Sequence, residues 1–112
     1  MAGMDTLAFA PIMQPSCAEN FDREMPCSER EWLASLPQAI GANPFQQIAQ
    51  ALTAQIGAHG QLILSWRVAE QRALGSASVP RLLVSFRFSG LDATQRYLFM
   101  RRFDQLMQRA RG

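Results

Sequence analysis

The stretch NPFQQIAQALTAQIGAHGQLILSWRVA, residues 43–69, decides the fold, because two periodicities meet in it. Its first half places Phe45, Ile48, Ala49, Leu52 and Ile56 at i, i+3, i+4, i+7 and i+11, the spacing of one apolar helix stripe. Asn43-Pro44 ahead of it offers a capping side chain and a proline at the first helical position, where a missing N–H costs little. Gly57 or Gly60 can end the element. The spacing predicts a helix over 44–56, with Gln47, Gln50, Ala51 and Ala54 on its outer face. The second half alternates Leu62, Leu64, Trp66 and Val68 with Ile63, Ser65, Arg67 and Ala69, the period of two that marks a strand.

Working outward, Leu82, Val84, Phe86 and Phe88 alternate with Leu83, Ser85 and Arg87 and predict a second strand. Gly75-Ser76-Ala77-Ser78 lies between the two and suggests a hairpin. Pairing Trp66 with Phe86, Leu64 with Phe88 and Val68 with Val84 puts every large apolar side chain on one face. A one-residue slip would set Trp66 against Arg87, so the slipped pairing is rejected. The accepted register leaves Ser65, Arg67, Gln71, Arg81, Ser85 and Arg87 on the other face.

On the N-terminal side, Ser28-Glu29-Arg30-Glu31 follows the capping-box pattern. It predicts a short helix to about Leu36, packed through Trp32, Leu33 and Leu36, with Pro37 discouraging continuation. Residues 1–26 contain Pro11, Pro15 and Pro26 without a clean period and read as an irregular arm, extended at most over Thr6–Ala10. At the C-terminal end, Asp92 and Gln95 form a second capping pattern. The helix that follows buries Phe99, Phe103, Leu106 and Ala110, flanked by Met100 and Met107, and presents Arg101, Arg102, Gln108 and Arg109 outward.

These elements add up to a two-layer α+β domain over 27–112, in the order α-α-β-β-α, with an antiparallel β-hairpin packed against helices. A two-stranded sheet is marginal alone. Either the arm adds an extra strand or two chains pair their edges, which makes a homodimer an expectation of the fold.

Composition excludes several classes. At 112 residues the chain is one small domain. With 48% hydrophobic residues it can fill a core, yet no apolar run reaches the ~18 residues of a membrane span. All 11 basic residues are arginine, and with 16 alanines this is the usage of a GC-rich bacterial genome. Residues 1–40 hold six carboxylates against Arg23 and Arg30, whereas residues 41–112 hold nine arginines against Glu70, Asp92 and Asp104. Such opposite-sign segments dock on each other or on an outside partner. Leu7–Met13 is a short apolar run broken by Pro11 and lacks a basic flank, so a cytoplasmic location is expected.

Little in the sequence carries catalysis. Cys17 and Cys27 have no metal-ligand spacing and read as reduced thiols. His59, the one histidine, stands in a loop with no partner for acid–base work. Nucleophile elbows and phosphate-binding glycine loops are absent. No catalytic residue, metal or cofactor is expected. What remains is surface. No charged residue occurs between Trp32 and Trp66, so Gln47, Gln50, Ala51 and Ala54, with Ile63 and Leu83, are candidates for a protein interface. Arg67, Arg87, Arg101, Arg102 and Arg109 are candidates for contacts to anions, with nucleic acid the less favoured ligand. The leading expectation is a non-enzymatic interaction or regulatory protein that binds another protein or itself.

Overall fold

The computed structural model describes residues 17–74 and 77–111. The elements are β1 (Asn20–Met25), α1 (Glu29–Ile40), β2 (Phe45–Ile48), β3 (Ala51–Ile56), β4 (Gly60–Leu74), β5 (Ala77–Ser89) and α2 (Ala93–Arg111). The strands form one antiparallel sheet in the order β1-β5-β4-β3-β2, and both helices pack on the same face of it. The chain is α+β, but the order is β-α-β-β-β-β-α, which overturns the expected α-α-β-β-α and its two-stranded hairpin.

The largest correction falls on residues 44–56, which form β2 and β3 and not a helix. Ala49 and Gln50 make a two-residue turn, with Ala49 at φ 54°, and this turn splits the apparent helix stripe between two strands. Leu52, Ala54 and Ile56 then share the helix-covered face, while Ala51, Thr53 and Gln55 share the other. Asn43 does not cap a new helix. Its Nδ2 donates to the Ile40 carbonyl oxygen at 2.8 Å and so closes the C-terminus of α1.

α1 also runs a turn further than Pro37 suggested. Pro37 sits inside it, and both Pro37 and Leu33, whose carbonyl loses a donor to the proline, lie on the exposed side. Leu33 is therefore not in the core, unlike Trp32 and Leu36. The capping box at the start of α1 is present in both directions between Ser28 and Glu31. The Asp92–Gln95 pair caps α2 in the same way at 2.8 Å each.

Strand β1 is the extra strand that the N-terminal arm was expected to add as one alternative, formed at 20–25 where the segment read as irregular, whereas Thr6–Ala10 lies outside the described residues. β1 pairs with β5 and adds Phe21, stacked on Phe86 at 4.7 Å, to the apolar layer. The β4–β5 register places Trp66 opposite Val84, Leu64 opposite Phe86 and Leu62 opposite Phe88. It is two residues from the expected pairing. A two-residue slip leaves every side chain on its own face, so hydrophobic patterning cannot detect it.

The core lies between the sheet and the helices. Trp32, Leu36 and Ile40 of α1 and Met100, Phe103 and Met107 of α2 close over Leu52, Leu62, Leu64, Trp66, Leu82, Val84 and Phe86. Arg23 seals one side. Its guanidinium lies 5.4 Å from the Phe86 ring centroid and reaches Asp104 of α2 at 2.6 and 3.2 Å. Gly90, at φ 75°, turns the chain from β5 into α2. A Cβ there would stand 2.1 Å from the His59 carbonyl oxygen, so only glycine fits.

Candidate functional site

Strand alternation puts the residues not facing the helices on one open surface. From the β2 side to the β1 side it presents Gln46 and Ile48, then Ala51, Thr53 and Gln55, then Gln61, Ile63, Ser65 and Arg67, then Arg81, Leu83, Ser85 and Arg87, and last Asn20, Asp22 and Glu24. None of these is covered by an element of the described chain.

The face has two halves. On the β1–β5 side, Glu24 accepts from Arg81 at 2.7 and 3.0 Å, and Asp22 lies 3.4 Å from Arg87. Two carboxylates of the acidic segment thus pair with two arginines of the basic one inside the same molecule. On the β2–β3 side and over Gln61, Ile63 and Ser65 of β4 there is no charge, and Ile63 borders the other half directly opposite Arg87. There Ile48 is 66% and Ile63 41% exposed, with Ala51 and Thr53 between them. At the boundary a shallow hollow of about 230 Å³ is lined by Asp22, Ser65, Arg67, Leu83 and Ser85. Ser65 and Ser85 are opposite each other on neighbouring strands, and their short side chains form its floor. Arg67 beside it is exposed and has no carboxylate within ion-pair distance among the described residues.

The expected interface residues separate accordingly. Ala51, Ile63 and Leu83 share the open face, but only Ala51 and Ile63 are neighbours there; Leu83 stands between Arg67 and Glu24 in the ion-paired half. Ala54 is fully buried in the core. Gln47 sits at the outer strand on the helix side of the sheet. Gln50, in the β2–β3 turn, donates through Nε2 to Glu29 at 3.0 Å. That carboxylate also accepts from Trp66 Nε1 at 3.0 Å. Glu29 therefore ties the start of α1 to the turn and to the central strand. The two hydrogen bonds, from Gln50 first and Trp66 second, hold its pKa below the usual carboxylate range. Sequence reading missed Gln46, Ile48 and Thr53 as surface neighbours of Ile63. The signal was the Leu52/Ala54/Ile56 alternation, which competes with the helix stripe.

The expected anion contacts also divide. Arg87 is engaged by Asp22, while Arg67 stands on the open face. Arg101, Arg102 and Arg109 are exposed on α2, away from the sheet face, and have no ion pair among the described residues. The two sets do not form one patch.

Two further concavities lie among the described residues, and neither brings an acid–base pair together. An open groove of about 600 Å³ between α1 and α2 is lined by Met25, Ala34, Ser35 and Met107. Its carboxylates are occupied, Glu31 by the Ser28 cap and Asp104 by Arg23. A mainly apolar cavity of about 570 Å³ near Ile56, Leu91, Leu98 and Phe99 has exposed His59 at its rim. Cys17 is half-buried and Cys27 buried, and no disulfide joins them. Burial raises the Cys17 pKa against the pull of Arg96 and Arg23, which disfavours the thiolate. No cluster of three or more metal-ligating side chains occurs among the described residues. No helix among them is long and apolar enough to cross a membrane. Comparisons with protein-family models, curated proteins and solved structures return no match to this chain.

Proposed function

We propose that this chain is a small cytoplasmic, non-enzymatic protein that binds another protein through the open face of its sheet. The observation that supports this reading is the charge-free half of that face, with Ile48 and Ile63 exposed on either side of Ala51 and Thr53. An antiparallel sheet with one solvated face ordinarily reads polar on that face. Depletion of charge around exposed apolar side chains is the composition of an interface core. The ion-paired half beside it, with Arg67 at the boundary, supplies the polar rim.

A second reading rests on Arg101, Arg102 and Arg109, exposed and without ion pairs among the described residues, as contacts for nucleic acid or another anion. One experiment separates the two. The tagged protein is purified from its host at low salt, as wild type, as Ile63→Lys and as Arg101→Ala/Arg102→Ala. Bound material is identified by mass spectrometry and ultraviolet absorbance, and the complex mass is measured by light scattering. A stoichiometric protein partner, lost in Ile63→Lys with an unchanged melting temperature, supports the open face. Nucleic acid that leaves as salt rises, retained by Ile63→Lys and lost from the arginine variant, contradicts it and favours the helix.

A further inference from the structure

The two edges of the sheet differ in kind. β1 carries Asp22, Arg23 and Glu24, and charges of this sort guard natural strand edges against pairing with other chains. β2, Phe45-Gln46-Gln47-Ile48, carries none, and Phe45 and Ile48 are 42% and 66% exposed on opposite faces of the sheet. Its backbone is also half-used. Gln55 N donates to the Pro44 carbonyl oxygen at 2.8 Å. In an antiparallel ladder alternate residues turn both backbone groups to the same neighbour. Pro44, Gln46 and Ile48 thus face β3, while Phe45 and Gln47 direct their N–H and C=O groups outward. Among the described residues no strand pairs with that side.

We propose that β2 is a self-pairing edge, at which two copies of this chain join antiparallel about a two-fold axis at Gln46. Residues opposite each other in a sheet share a face, which restricts the symmetric registers to those centred on a residue. With the axis at Gln46, Phe45 stands opposite Gln47 of the second copy and Gln47 opposite its Phe45. All four outward groups of each strand are then satisfied across the junction. An axis at Gln47 pairs that residue with itself and leaves the outward groups of Phe45 opposite Ala49, beyond the end of the strand. In the Gln46 register, Phe45 lies against Gln47 on the helix side. Gln46 faces Gln46, and Ile48 faces Pro44, on the open side.

The charge pattern selects a second copy as the occupant. About a two-fold axis each residue meets the same segment of its twin, so charge near the axis meets like charge. The charge-free run from Leu33 to Ser65 removes that repulsion at β2. At β1 the equivalent pairing about Arg23 would set Asp22 against Glu24. The junction is small. Four residues per strand cover well under the ~800 Å² per partner of a standard interface, so the dimer is weak and reversible. Because the axis stands perpendicular to the sheet, the pairing brings two open faces together on one side. It rests on the proposed role of that face only for this consequence.

The test is sedimentation equilibrium of the purified full chain from roughly 10 µM to 1 mM, a range matched to a weak complex. Wild type is compared with Gln46→Lys, with Gln46→Glu and with their equimolar mixture. The pairing predicts a wild-type mass rising from 12.5 kDa toward twice that value with concentration. It predicts that each variant alone stays monomeric and that the mixture dimerises. Gln46 is exposed, so thermal melts of both variants should match wild type. A wild type monomeric throughout, or a dimer indifferent to charge at Gln46, overturns the proposal. Variants that are monomeric alone and also in the mixture overturn the register. Purified protein that never self-associates leaves the open-face reading standing, because partner capture at Ile63 does not depend on the pairing.

Discussion

Leu52 and Ile48 belong to the same apparent helix stripe, yet the sheet gives them opposite environments, and truncating each to alanine measures the difference. Leu52 is 1% exposed between Leu64 of β4 and the helices, whereas Ile48 is 66% exposed on the open face. Leu52→Ala loses a full side-chain transfer term and leaves a cavity in a close-packed layer, a cost of about 3–4 kcal/mol. Ile48 retains about a third of that burial, so Ile48→Ala costs about 1 kcal/mol. Ala54 supplies the complementary test. It is 0% exposed and opposite Leu62, so Ala54→Leu overpacks the core by about 1–3 kcal/mol. The assay is urea unfolding followed by tryptophan fluorescence, since Trp32 and Trp66 are both buried and report the core directly. In a domain of this size Leu52→Ala should lower the melting temperature by roughly 12 °C or more. Equal losses for Leu52→Ala and Ile48→Ala, with a silent Ala54→Leu, would refute the strand assignment and restore the helix.

Further outcomes follow from single residues. Ala49→Gly should stabilise the protein by about 0.5–1 kcal/mol in the same assay, because Ala49 holds φ 54° in the β2–β3 turn, where a Cβ is disfavoured. Trp66→Ala and Phe103→Ala should each cost about 3–5 kcal/mol, since both rings are at least 96% buried and pack around Trp32. Glu29 has a depressed pKa in the folded state, so its hydrogen bonds to Gln50 and Trp66 stabilise the fold fully above the unfolded-state pKa. That contribution disappears as pH falls through the lower folded-state value. Denaturation of wild type and Glu29→Gln at a series of pH values should therefore show a stability difference that is constant near neutrality and changes only in the acid range.

The two helix starts and the faces of β4 and β5 were legible in the sequence, whereas the fold of residues 44–56 and the β4–β5 register were not. Ser28–Glu31 and Asp92–Gln95 are local devices, each complete within four residues, and both caps stand as the spacing implies. The faces of β4 and β5 follow from strict alternation, and Trp66, Phe86 and Phe103 are core residues as their positions require. The register was not legible, because the period of two repeats after a two-residue slip. Residues 44–56 satisfied a helix stripe by coincidence. A two-residue turn advances the alternation so that Phe45, Leu52 and Ile56 fall on one face of a hairpin as readily as on one face of a helix. The arm's extra strand was anticipated but its place at 20–25 was hidden, because its outward Asp22 and Glu24 are stabilised by arginines some 60 residues away, which no local window contains. The open face inherits both difficulties. Its charge-free composition was visible, but the neighbours of Ile63 depend on the β2–β3 turn.

The open face itself is tested most directly by site-specific photo-crosslinking in the host cell. A photoreactive residue is placed at Ile63, on the open face, or at Leu98, which is 53% exposed on α2. The account predicts a discrete crosslinked protein from position 63 that is absent from position 98 and lost when Ile48→Lys is added. Crosslinks that form equally from both positions, or from position 98 alone, would contradict it.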